Sequence, residues 1–488
     1  MQTDLNTVDR ESAPLERSLG VWQATALNVA NMVGIGPFIT IPAFLDAMKG
    51  PQALVAWIIA AVLVVCDGLV WSELGAALPG SGGSYHYLRE IYGRYRFGRL
   101  MPFLFIWQFL ASGALEMATG YLGAINYIHY AWPDMHDALA RWGVPGGANT
   151  LAASAALVVA LVLCQRIGRL GWLGIVLCTG TVITVLVVIV SGLAHFRPEL
   201  LTLPPNAFRL DATFASGLGA AMLIAIYDYL GYYNVCFLGE EVREPGRTIP
   251  RAVMASVIVV ALIYLVMNVS IIAVIPWQEA MKSENIAALF MERLFGRSIA
   301  TAFTGLILWT VAACMFAITL GYSRIPYAAA RRGDFFRPFA TLHATGRFPI
   351  VSLLVIGCLT AACCYLDLTT VIQAAVCVRI AVQFIGQIVG LHLLRTRRPD
   401  IELPFRMKLY PLPSLVALGG WLFVLATADR MALVASVGVL ASGVVAYGVW
   451  SLFRGEGDRP DDEHHDAEQP GAEKQVRTLS SATIDDAR

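Results

Sequence analysis

Long apolar runs separated by short polar stretches recur along almost the whole chain. A bilayer core about 30 Å thick needs roughly 20 apolar residues per helix. By that measure the pattern predicts twelve membrane-spanning helices. They lie near residues 19–46, 53–78, 100–130, 150–166, 170–194, 214–239, 251–275, 299–323, 350–366, 369–394, 411–428 and 431–453. The runs near 150–166 and 350–366 are short. The stretch 277–297 (WQEAMKSENIAALFMERLFGR) has apolar residues at helical spacing. It reads as a short helix on the extracellular side, a solvated loop helix in preference to a gate. The polar residues 1–17 lack the apolar core of a signal peptide, so they read as a cytoplasmic tail and the first span as the insertion signal. Residues 454–488, rich in Asp, Glu, Gly and Ser, cannot bury enough apolar area to fold alone. They read as a disordered cytoplasmic tail.

Composition agrees with the pattern. Hydrophobic residues make up 57% of the 488 and charged residues 14%, against about 25% charged in soluble chains. Lipid must solvate the excess apolar surface. The net charge of +0 hides an uneven placement. Arginines and lysines crowd one set of alternate loops, at 89–99, 166–169, 243–251, 324–347 and 395–408. The other set holds fewer, at 49, 141, 197–209, 282–297 and 430. Basic loops stay cytoplasmic, which places both termini in the cytoplasm of a multi-pass protein of the plasma (cell inner) membrane. The nine cysteines all fall in apolar segments and read as small packing residues. The histidines show no metal-ligand spacing. No phosphate loop, nucleophile motif or Walker motif is present, so neither an enzyme nor an ATP-driven pump is expected, and no cofactor.

Two spans carry interruptions. The first contains NVANMVGIGPFITIPAF, with Gly34, Gly36 and Pro37 at mid-membrane. Glycine weakens a helix and proline removes a donor, so a local unwinding is expected. Freed backbone groups must then face protein or a water-filled cavity. The sixth span contains AIYDYLGYYNVCFLGEE, with Asp228, Gly231 and Asn234 close together. Paired interruptions in corresponding helices of two halves point to a transporter binding site. Here they open two five-helix units. A glycine that only packs helices is the competing explanation, and it fits one break better than two.

Charges at membrane depth are costly and usually functional. Asp228 sits at the second break, Glu116 in span three, Asp67 in span two and Arg379 in span ten. Asp228 is read as holding a cationic group or a coupling proton, or as a cap on the unwound helix. Glu116 is read as a substrate or coupling residue, or as the buried partner of Arg379. Asp67 and Arg379 suit structure or gating, and Gln383, one turn from Arg379, faces the cavity. Glu240 and Glu241 at the cytoplasmic end of span six suit inner-side salt bridges or a gate.

These motifs resemble those of the amino acid–polyamine–organocation superfamily. The likeness rests on NMVGIGPF, SELGAALPGSGGSYHYL, GEEVREPGRTIPRA, RIPYAAARRGDFF, HATGRFP and RRPDIELPFRMKLYPLP, and covers nearly all of residues 18–450. The resemblance implies an all-α integral membrane protein with a LeuT-like fold: twelve helices in a 5+5 inverted repeat, two of them discontinuous, plus two extra C-terminal helices. The first repeat would occupy 18–200, the second 210–394 and the extra helices 411–453. It also implies that a substrate carboxylate meets the N–H groups of Val33, Gly34, Ile35 and Gly36, in keeping with the attraction of helix N-termini for anions. The substrate amine would meet carbonyls of Ile226, Tyr227 and Asp228. Tyr227, with Tyr229 second, would be the aromatic gate. The fifth span lacks the lysine that replaces sodium in some proton-coupled members, which leaves coupling to a proton or sodium gradient open.

The expected function is a secondary active transporter, a permease moving amino acids by alternating access. The partners are then a small-molecule substrate and the lipid bilayer, with no nucleic acid. The runner-up is a transporter of polyamines or other organic cations, because two acids, Glu116 and Asp228, suit a diamine. A third possibility is an amino acid sensor that does not transport.

Overall fold

The computed structural model describes residues 17–453 apart from 81, 94, 96, 97, 165–169 and 344–347, with the side chains of 170–178 and 453 also left out. The expected terminal tails, Arg94, Arg96, Arg166, Arg169, Arg347 and the side chain of Cys178 therefore lie outside the described residues.

Among the described residues the chain is helical, without strands. In order the helices are α1 (Val21–Met32), α2 (Gly36–Met48), α3 (Leu54–Ala77), α4 (Ser84–Tyr92), α5 (Leu100–Ala131), α6 (Met135–Arg141), α7 (Gly147–Leu163), α8 (Leu170–Ala194) and α9 (Ala212–Tyr229). There follow α10 (Pro245–Ile272), α11 (Trp277–Ala280), α12 (Ile286–Phe295), α13 (Arg297–Arg331), α14 (Ile350–Cys363), α15 (Leu368–Arg379), α16 (Gly386–Arg397), α17 (Leu412–Thr427) and α18 (Arg430–Phe453). Seven helices among the described residues are long and apolar enough to cross a membrane, and α1 with α2 makes an eighth, bent by 55°. Gly147–Leu163, Thr179–Ala194, Ile350–Cys363 and Leu412–Thr427 are shorter apolar helices. Two compact units divide the chain, residues up to Val445 and those from Ala446 onward.

The broken helices sit in the core of the first unit. Helix α1 packs on α10, α2 on α9, and α3 on both α9 and α10. The 32-residue α5 runs beside α13, α14 and α15 and is buried along most of its length. The two sides differ because α3, α10 and α13 each expose an apolar stripe, including Ile58, Val62, Leu262 and Trp309. That is the surface a bilayer solvates.

Four details depart from the pattern read along the chain. The stretch 277–297 is not a solvated loop helix. It folds as α11 and α12, and α12 buries Ile286, Ala287, Ala288, Phe290 and Met291, because its apolar face finds α13, α2 and α8 to cover. The sixth span does not continue to 239 as α-helix: it ends at Tyr229 and resumes as short 3₁₀ turns at Asn234–Phe237 and Gly239–Glu241. The tenth span widens into a π-helical turn at Ile380–Ile385 between α15 and α16. Helix α4, amphipathic and packed on α5 and α16, has no counterpart among the long apolar runs.

Candidate substrate site

The first break is built by glycine and closed by a tyrosine. Helix α1 ends where Val33 leaves the helical region (φ −79°, ψ 88°). Gly34 N–H folds back onto the Met32 carbonyl at 3.0 Å, and Tyr264 Oη donates to that same carbonyl at 2.5 Å. Helix α2 starts at Gly36 with Pro37 in its first turn, where a missing N–H costs nothing. Side chains do not fit at either glycine. A Cβ on Gly34 would lie 2.9 Å from Cys314 Sγ, and one on Gly36 would lie 2.1 Å from Asp228 Oδ1.

The second break faces the first. Helix α9 is N-capped by Asp211, which accepts from Phe214 N–H at 2.9 Å. At its far end Leu230 turns to an extended ψ of 138° and Gly231 takes φ +111°, a conformation that favours glycine. Gly231 lies against the backbone of Asn31 and the side chain of Met32. The unwound strand that follows is held by one buried side chain. Asn28 Nδ2 donates to the Tyr232 carbonyl at 2.5 Å, and its Oδ1 accepts from Val235 N–H at 2.8 Å. Thus α1 supplies the partners that the broken ninth helix no longer gives itself.

A cavity of about 30 Å³ lies between the breaks. Gly34, Ile35, Gly36, Glu116, Tyr227 and Asp228 line it, as expected from the chain, together with Asn31, Met32, Leu230, Cys314, Met315 and Ile318. Its size suits water rather than an amino acid, so a substrate needs side chains to move aside. Asp228 is 3% exposed. Its Oδ2 accepts a 2.6 Å hydrogen bond from Thr40 Oγ1 on α2, while Oδ1 is buried without a partner. The Tyr227 hydroxyl is hydrogen-bonded to Thr119 on α5.

Glu116 joins a buried polar cluster. Arg379, fully buried, donates to Glu116 Oε2, to Ser112 Oγ at 3.0 Å and to Tyr233 Oη at 3.2 Å. Tyr322 Oη donates to the same Oε2 at 2.8 Å. Each of the three guanidinium nitrogens thereby has a partner, immediately before the π-helical turn that carries Gln383. The remaining residues singled out in the chain stand behind the cavity wall. Tyr229 packs edge-on against Trp57 and beside Tyr264, so it is not placed as a gate. Asp67 accepts from Tyr232 Oη and, at 3.0 Å, from Trp421 Nε1. It is a clamp between α3, α17 and the second break. Val33 and Ile226 are buried beside the breaks.

The two sides of the cavity differ. Toward the end of α2, Ile35 and Ile39 rest on Gly123, and beyond them a vestibule of about 560 Å³ opens among Pro42, Asp46, Asn126, Asn149 and Asp367. Toward the start of α1 the path is shut by polar links. Leu19 exchanges backbone bonds with Glu241 and Arg243. Arg89 Nε meets Asp334 Oδ2 at 2.8 Å, and Tyr85 Oη donates to that oxygen at 2.6 Å. Arg395 binds Glu73 with two bonds of 2.6 and 2.7 Å, and Arg332 lies 3.8 Å from Glu240.

Several of these residues give no signal along the chain. Thr40, Cys314, Met315 and Ile318 look like ordinary apolar-helix residues. Asn28 and Asn31, two amides inside an apolar run, are the signal that was there to be read.

The amino acid permease family model matches residues 19–450. The chain belongs to the amino acid permease family. That places it in the amino acid–polyamine–organocation superfamily. Among its relatives, an uncharacterized transporter of Mycobacterium tuberculosis is 28% identical over 450 residues, 89% of this chain and 91% of that protein. The human large neutral amino acids transporter small subunit 2 is 26% identical over 428 residues, 84% and 75% of the two chains. The mouse cationic amino acid transporter 4 is 28% identical over 376 residues, 74% and 57%. The permease family is one of membrane transporters that take small-molecule substrates, not of enzymes.

Proposed function

We propose that this permease carries amino acids across the plasma membrane by alternating access around the two helix breaks. The seven long helices, the bent pair and the four shorter apolar helices make twelve spans with both termini cytoplasmic, in the LeuT-like arrangement of two inverted repeats. The observation that carries the reading is the N-terminus of α2, which ends in a buried cavity closed on its other side by the second break. A half-helix N-terminus attracts an anion, so the main-chain N–H groups of Ile35 and Gly36 receive the substrate carboxylate, while those of Val33 and Gly34 are already taken by the Val29 and Met32 carbonyls. The amine lies toward Ile226, Tyr227 and Asp228, and Tyr227 covers the pair. The vestibule beyond Ile39 is the outer entrance and the Arg89–Asp334 side the inner one. A proton or sodium gradient drives the cycle.

A diamine fits this cavity less well. Its attraction lay in two acids, but Glu116 spends its charge on Arg379.

Purified protein in liposomes, offered each of the twenty amino acids, putrescine and spermidine under separately imposed proton and sodium gradients, tests the reading. Saturable amino acid flux is expected. Saturable binding with no flux means a sensor, and uptake of putrescine with no amino acid means a polyamine carrier.

A further inference from the structure

We infer that the Asp228 carboxylate itself receives the substrate's α-ammonium group, with Thr40 as the residue that positions it. The inference rests on the amino acid reading above and names what that site selects for: an unmodified α-amino group.

The orientation of Asp228 is set on one side only. Thr40 Oγ1 holds Oδ2 at 2.6 Å. Oδ1 is left buried without a partner, on a residue that is 3% exposed and lines the cavity. A buried acceptor left unmatched is costly and calls for an explanation. No basic side chain lines the cavity among the described residues, and Arg379, the cation of the neighbouring cluster, is taken by Glu116, Ser112 and Tyr233. A substrate cation is what completes the site.

Position narrows the kind of cation. Oδ1 lies 2.1 Å from the place of a Gly36 Cβ, so the acceptor stands directly beside the first turn of α2. A ligand that satisfies both needs an ammonium and a carboxylate separated by two bonds, which describes an α-amino acid. A 2-hydroxy acid keeps the carboxylate and offers no cation. An N-acyl amino acid likewise loses the charge. A simple amine leaves the helix N-terminus unused. Met32, Leu230, Met315 and Ile318 make much of the remaining lining apolar, and the other acid there, Glu116, has its charge met by Arg379, so the cavity makes no second demand for charge. Sites built around a polar group of the substrate reject analogues lacking it far more strongly than apolar pockets reject a methylene.

The test compares the tightest-binding standard L-amino acid with its 2-hydroxy analogue, on full-length protein in nanodiscs, by calorimetry. The wild type is expected to prefer the amino acid by about 100-fold or more. Asp228→Asn, nearly isosteric, is expected to lose most of that preference while binding the hydroxy acid as before. Thr40→Val is expected to reduce the preference partly, and Thr40→Ser to restore it. A wild type that binds both compounds equally overturns the inference even if neither variant folds. So does an Asp228→Asn protein with the wild-type ratio. If no standard amino acid binds at all, the amino acid reading itself falls, and this inference with it.

Discussion

Thr40 and Asp228 stand 188 positions apart in the chain and share a 2.6 Å hydrogen bond across the two broken helices. Thr40 is on the first turns of α2 and Asp228 on the last turn of α9. The bond fixes α2 and α9 to each other. Asn28 does the same on the opposite side, joining α1 to the strand after Gly231. The two broken helices are thus tied to each other by one polar side chain on either side of the breaks.

Glycine at 36 is a requirement of space. A Cβ there would meet Asp228 Oδ1 at 2.1 Å. Gly36→Leu is expected to insert and fold while losing uptake to background. Membrane abundance and initial uptake rate, measured together, check this. Gly34→Ala, which meets only Cys314 Sγ at 2.9 Å, is expected to be milder and to be improved by Cys314→Gly.

The buried pair of Arg379 and Glu116 is expected to behave as a unit. Removing one partner leaves a lone charge in a dry interior, at a cost of about 3–5 kcal/mol. Glu116→Gln and Arg379→Gln should each lower the unfolding temperature sharply, and the double variant should recover much of the loss. A double-mutant cycle on thermal unfolding in detergent measures the coupling.

Asn28 is expected to be needed for order at the second break. Asn28→Ala leaves Val235 N–H and the Tyr232 carbonyl without their partner, which costs about 1–3 kcal/mol. Faster amide hydrogen exchange confined to 231–237 is the expected signature.

The inner side is expected to loosen in acid. Burial holds the His86 ring below its ordinary value; Arg332 and Arg89 push the same way, against Glu90 and Glu240. The closed form therefore keeps His86 neutral while an opened form takes up the proton. Stability of the closure is full above the ordinary imidazole value of about 6.5 and falls as the pH drops through it. Protease protection of the inner loops between pH 7.5 and 5.5 reads this out, and His86→Gln should flatten the profile.

The long apolar helices were legible along the chain because each answers to a local rule of length and apolarity, and the ends of α3 and α5 fall close to the runs that announced them, while α13 continues past its run to Arg331. The first break was legible for the same reason: Gly34, Gly36 and Pro37 speak for their own backbone. What joins distant segments was not. Nothing local tells whether Glu116 faces substrate or Arg379, 263 positions away, nor that Thr40 holds Asp228. The reading of α12 as solvated erred similarly, since its apolar stripe says that something is covered and not what. Helix α4 escaped because a nine-residue amphipathic helix has no spanning length to betray it.

Cys314 lines the cavity between the breaks and gives the most direct test of transport through it. With the remaining cysteines replaced, a membrane-impermeant maleimide is applied to vesicles of either orientation while gradients and substrate are varied. Labelling of Cys314 from each side in turn, and protection by the transported amino acid, are the expected results. Labelling from one side only under every gradient, with no protection by any amino acid, would contradict alternating access at this site.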